Sequence, residues 1–111
     1  MVKGRRHVAF FSQTGSEIVD LEKIGIESDL IICNQSSKLN MCEDLKTRPL
    51  FLYKLIIIPK KPDEEIYRRL LRKDDIITLH GYLNIIPKVI CEEYEIYNGH
   101  PGLISLLHCS E

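Results

Sequence analysis

Residues Asp75–Ile104 read DIITLHGYLNIIPKVICEEYEIYNGHPGLI. Asp75 to His80 is a short run dominated by Ile, Thr and Leu, the composition of a buried strand, and Gly81 lets the chain turn at its carboxyl end. Ile85 to Tyr94 carries Pro87 and a Glu-rich end, which predicts a short helix leading to a further strand around Asn98. Strand, helix and strand in this order make a parallel pair, and with the alternation seen elsewhere in the chain they predict an open, mostly parallel α/β sheet with right-handed crossovers. Ligands of such sheets bind at the carboxyl ends of the strands. The edge at Gly81 is therefore the place to look for chemistry.

The same stretch ends in Asn98-Gly99-His100-Pro101. If Glu95 to His100 runs extended, side chains two apart share a side, so Asn98 and His100 project together. Pro101 keeps His100 out of the helical region, and Gly99 has no side chain to obstruct a ligand. A carboxamide and an imidazole so placed can donate to an oxyanion and move a proton, as acyl transfer to an amine requires. Taken alone, Asn-x-His is equally a common turn sequence.

Outward from this stretch, the rest of the chain repeats the alternation. His7 to Phe11 is an apolar strand ending in Ser12-Gln13-Thr14-Gly15-Ser16, and Ile18, Leu21 and Ile24 then recur at helical spacing. Thr14 and Ser16 are candidate helix caps; with the free N–H groups of that helix start, Thr14, Gly15 and Ser16 also suit a phosphate or other anion. One glycine is not a dinucleotide fingerprint. Asp29 to Cys33 reads as a buried strand ending in a loop at Asn34. Leu39 to Thr47 is weakly helical, Arg48-Pro49 should break it, and a third strand is expected within Leu50–Ile58. Pro62-Asp63-Glu64-Glu65 opens a helix with Ile66, Leu70 and Leu71 as its apolar side and Arg68, Arg69, Arg72 and Lys73 at its basic end.

Composition bounds what this one domain of 111 residues can do. Fifteen basic against sixteen acidic residues leave a net charge of -1, without the positive field a general nucleic-acid binder needs. The apolar run after the basic start is too short for a secretory signal core, and no stretch approaches a membrane span. A cytoplasmic location without membrane association is expected. Cys33, Cys42, Cys91 and Cys109 form no C-x-x-C pair, and their spacing supports no metal framework.

The paired motifs Gly81-Tyr82-Leu83-Asn84-Ile85-Ile86 and Asn98-Gly99-His100-Pro101-Gly102-Leu103 resemble those of the formyltransferase family, which includes glycinamide ribonucleotide transformylases and the formyl-transferring domain of methionyl-tRNA formyltransferases. The resemblance implies a Rossmann-like sheet, with residues 1–111 forming the N-terminal half of a formyltransferase-type domain. It implies 10-formyltetrahydrofolate as formyl donor, a small-molecule amine as acceptor, and no nucleic acid beyond a tRNA-linked substrate. Asn98 and His100 would be catalytic, Tyr82, Leu83, Asn84, Ile85 and Ile86 would line the folate pocket, and Thr14, Gly15 and Ser16 would hold the acceptor; no metal is needed. Two departures stand out. Asn84 occupies a position where the family usually has Arg, and Glu17 follows Gly15-Ser16 where transformylases carry Asn, which would repel a substrate phosphate. The family also uses an Asp well beyond its His, whereas the sole acid after His100 here is Glu111. The resemblance thus implies a truncated domain of weak or lost activity. The alternatives are a non-catalytic remnant binding a folate or phosphorylated ligand, or a subunit-pairing protein that self-associates through its unfinished sheet.

Overall fold

The computed structural model describes residues 5–34 and 40–98. Strand β1 (His7–Phe11) is apolar on both sides, and Val8, Ala9, Phe10 and Phe11 are fully buried. Such a run suits only the middle of a sheet covered on both faces. Helix α1 (Ser16–Lys23) follows, then β2 (Leu30–Cys33), α2 (Glu43–Thr47), α3 (Pro49–Leu52), β3 (Leu55–Ile57), α4 (Glu64–Leu70), β4 (Ile76–His80), α5 (Lys88–Glu93) and β5 (Glu95–Asn98). The five strands form one all-parallel sheet in the order β3-β2-β1-β4-β5.

Alternation of side chains along the strands divides the core in two. Ala9, Phe11, Ile31 and Cys33 pack with Ile18 and Val19 of α1, Leu45 of α2 and Phe51 of α3. Val8, Phe10, Ile32, Ile77 and Ile96 face the other way, against Tyr67 of α4 and Ile90 of α5. Helices therefore cover both faces. Across β4 and β5, however, the face that carries α1 to α3 elsewhere holds Thr78, His80, Glu95 and Tyr97, none of which joins an apolar cluster.

Local details depart from the periodicity in three places. Ile24, expected on the buried side of α1, is 72% exposed, because the helix ends at Lys23 and Gly25 takes a left-handed φ of 95°. Pro49 does not end helical structure but begins it, standing at the first position of α3, where a missing N–H costs nothing. Phe51 is thereby turned into the core, and the expected strand shrinks to Leu55–Ile57. On α4 the buried side chain is Tyr67, while Leu71 packs from the extended residue just beyond the helix. Asp63 caps this helix, accepting the Ile66 N–H at 3.1 Å.

Two largely buried ion pairs tie distant segments together. Fully buried Asp75 receives Arg6 through both Nε (3.0 Å) and Nη2 (2.8 Å) and also accepts the Arg72 N–H. Lys54 meets Glu22 at 2.7 Å and donates to the Ser28 carbonyl, joining α1 to the segment before β3. Among the described residues no helix is long and apolar enough to cross a membrane.

Candidate functional site

The chain passes from β1 to β2 on one side and later returns to place β4 on the other, so β1 and β4 are where the connections diverge. Loops leaving the two strands separate there and open a crevice at the carboxyl edge. A cleft of about 180 Å³ lies at this point, lined by Gln13, Thr14, Gly15, Ser16, Glu17, His80 and Gly81. A larger hollow of about 680 Å³ runs along the outer side of α4, lined by Asp63, Glu64, Glu65, Arg68 and Arg69. Its charges pair with one another and with Glu93, as on a solvated helix.

Gly15 makes the floor of the cleft. Its φ of 72° is a left-handed turn, and a Cβ there would meet Leu45 Cδ1 at 2.3 Å. The cap position of α1 is Gly15 itself, so neither Thr14 nor Ser16 is the cap residue. Instead the Thr14 hydroxyl accepts the Ser16 N–H and donates to the Ser16 hydroxyl, both at 3.2 Å. Glu17 opens into the same cleft and gives it negative character.

Ser12 is buried, and it joins three loops. Its hydroxyl donates to Asn34 Oδ1 at 2.6 Å and accepts the Leu83 N–H at 2.7 Å, while Asn34 Nδ2 donates to the Lys60 carbonyl. The carboxyl ends of β1, β2 and β4 are thereby held together. Asn34 is thus engaged inside the fold rather than turned to a ligand.

The segment after β4 divides by side. Tyr82 packs edge-on to Phe10, its hydroxyl 2.7 Å from that of Tyr67, and Asn84 Nδ2 donates to the Tyr67 hydroxyl. Burial, and then the hydrogen bond with Tyr67, push the Tyr82 phenol far above its ordinary value. Ile86 belongs to the core at 1% exposure, whereas Leu83 and Ile85 stand 65% exposed. The two aliphatic side chains thus flank the edge while the polar tips of Tyr82 and Asn84 turn inward. Asn98 ends β5, half-buried, in register with Leu79 of β4. His100 lies outside the described residues.

His80, whose orientation the sequence leaves open, turns into the cleft. Its side chain is 5% exposed; Nδ1 lies 2.9 Å from Glu17 Oε1 and Nε2 lies 2.8 Å from Thr78 Oγ1. Burial lowers the imidazole's pKa from its ordinary value, while the Glu17 carboxylate acts in the opposite sense. Thr78 and His80 share a face because they are two apart on one strand, which the sequence alone makes legible. That α1 brings Glu17 to them is a tertiary fact.

The chain matches no protein-family model, no curated protein and no solved structure.

Proposed function

We propose that the chain transfers a formyl group from 10-formyltetrahydrofolate to an amine acceptor, on a Rossmann-like sheet of the formyltransferase type. One observation carries this reading: β4 and β5 are parallel neighbours with Leu79 opposite Asn98, so the Gly81–Ile86 segment and the start of the Asn-Gly-His-Pro motif leave the sheet side by side at one edge. The Gly81–Ile86 motif and Asn98, the first residue of the second motif, are then adjacent in space, at the edge where open α/β sheets bind ligands.

The residues present are compatible with a folate. Leu83 and Ile85 offer exposed aliphatic surface beside the edge, of the kind that packs on a flat heterocycle, and Ser12 holds the backbone between them and β1. Since the Leu83 N–H is already given to Ser12, polar recognition of the ring falls to other backbone groups of the segment. Asn98 would donate to the oxyanion that forms as the amine adds to the formyl carbon. The acceptor end falls at the cleft lined by Thr14, Gly15 and Ser16, where Glu17 favours an amine over a phosphate.

The test is direct. Tetrahydrofolate release from 10-formyltetrahydrofolate is followed with a panel of small amines, for the wild type, Asn98→Ala and His100→Ala. Transfer by the wild type, reduced by about 10²-fold or more in Asn98→Ala with folate binding retained, is the expected result. Folate binding by the wild type without any transfer would instead establish a binding protein.

A further inference from the structure

The His80–Glu17 contact is one end of a longer chain. Thr78 Oγ1 lies 2.8 Å from His80 Nε2 and also 2.8 Å from His7 Nε2, and His7 Nδ1 lies 2.9 Å from the Glu27 carbonyl oxygen. The side chains of His7, Thr78 and His80 occupy the sheet face that β4 leaves polar, and Glu17 closes the series from α1.

Counting hydrogens decides what this chain holds. A carbonyl oxygen only accepts, so His7 Nδ1 carries a hydrogen. The Thr78 hydroxyl has one hydrogen and spends it on one imidazole while accepting from the other. Glu17, as a carboxylate, accepts from His80 Nδ1. Two neutral imidazoles and one hydroxyl supply three hydrogens for four contacts. The full set of contacts therefore needs one proton more.

That proton has a placement on Glu17, which then donates to His80 while His80 donates to Thr78 and Thr78 to His7. Two placements on the imidazoles likewise keep every contact. In one, His80 is the imidazolium, donating to Glu17 and Thr78, and Thr78 donates to His7. In the other, His7 is the imidazolium, donating to Glu27 and Thr78, and Thr78 donates to His80. Two hydrogen shifts through the Thr78 hydroxyl interconvert them. We propose that Glu17, His80, Thr78 and His7 form a proton-relay site, which exchanges a proton with an amine ligand in the cleft by moving one positive charge between His80 and His7.

The charged groups around the site are consistent with this role. Glu17 faces His80 from α1 and His7 faces it from β1 through Thr78; on β5, Glu95 is taken up by Arg5 and by the Tyr97 hydroxyl. Burial disfavours charge on His80, while the Glu17 carboxylate acts in the opposite sense.

The identity of the proton donor rests on the formyl-transfer reading. There the amine nitrogen bonds to the formyl carbon, the bond from that carbon to the folate nitrogen breaks, and one proton passes from the amine to the departing nitrogen. Starting from the three-hydrogen state, with both imidazoles neutral and one contact unmade, Glu17 receives this proton as the fourth, and the relay holds it until the departing nitrogen takes it back.

Imidazole NMR titration of His7 and His80 in the full chain tests the relay without any turnover. In the wild type the two rings should titrate as one coupled system, each resonance showing both steps. Thr78→Val should split them into two independent single-step curves, and Thr78→Ser, which keeps the hydroxyl, should restore coupling. Independent curves in the wild type, unchanged by Thr78→Val, would overturn the proposal. A second arm separates it from the formyl-transfer reading. Where the wild type transfers formyl groups, Glu17→Gln should cut the rate by about 10²-fold and change its pH profile; an unaltered rate and profile overturn the relay's part in the reaction. Coupled titration in a protein that transfers nothing sinks formyl transfer and leaves the proton site established.

Discussion

Asp75 shows how much one side chain can hold. It is fully buried, takes two hydrogen bonds from Arg6 and one from the Arg72 backbone, and so ties the segment before β1 to the entry of β4. Its carboxylate is tolerated there because every contact is a donor. Asp75→Ala leaves the partly buried guanidinium unpaired, and the expected loss is about 3 kcal/mol or more by chemical denaturation. Gly15 is constrained differently, through its backbone. Gly15→Ala places a Cβ in the left-handed region and against Leu45, so a loss of at least about 1 kcal/mol is expected, together with weaker binding of any ligand in the cleft. A variant as stable as the wild type would mean that the loop takes another conformation. In the sequence Asp75 stands at the start of an apolar strand and Gly15 in a turn-forming run. Neither role was legible, because a partner 69 positions away and a backbone angle leave no local pattern.

At the scale of elements, capping and loop tethering are separable. The start of α4 was readable from Pro62 and its acids, and Asp63 does accept the Ile66 N–H. Asp63→Ala should cost about 1 kcal/mol in global stability and leave the cleft untouched. In the sequence Ser12 is only the polar residue that ends the first apolar run, yet it links the ends of β1, β2 and β4. For Ser12→Ala we expect a loss of about 1–3 kcal/mol, since Asn34 and the Leu83 N–H lose a buried partner. Faster amide hydrogen exchange confined to residues 81–86 would be its signature, and protection unchanged there would show that Ser12 does not hold the segment. Strand β3 and helix α3 illustrate the opposite case. The apolar run Leu50–Ile58 has the composition of either element, and only the pull of Phe51 into the core divides it after Leu52.

For the whole molecule, the core on the α4–α5 face contains two phenols joined hydroxyl to hydroxyl. Tyr67 and Tyr82 both have pKa values raised above the ordinary 10, in each case chiefly by burial. The folded state therefore keeps protons that the unfolded chain releases near pH 10. Stability is fully present below that value and falls as pH rises beyond it. Thermal unfolding followed from pH 8 to 11 should show a Tm that declines above about pH 10, and Tyr82→Phe should flatten the decline. An equally steep decline in Tyr82→Phe would place its origin elsewhere.

The sequence by itself determined the alternation of strands and helices, the parallel sheet, and the edge at which Gly81 and Asn98 emerge. These follow from side-chain periodicity and turn chemistry, which are local and survive in a single chain. The tertiary structure decided the order β3-β2-β1-β4-β5, which opens the crevice between β1 and β4, and it decided which polar groups meet there. His80 and Glu17 are 63 positions apart, and His7 and Thr78 are 71. Only the packing of α1 and the pairing of β1 with β4 bring them within hydrogen-bonding distance, because the energy that joins them comes from burying the apolar faces on which they ride.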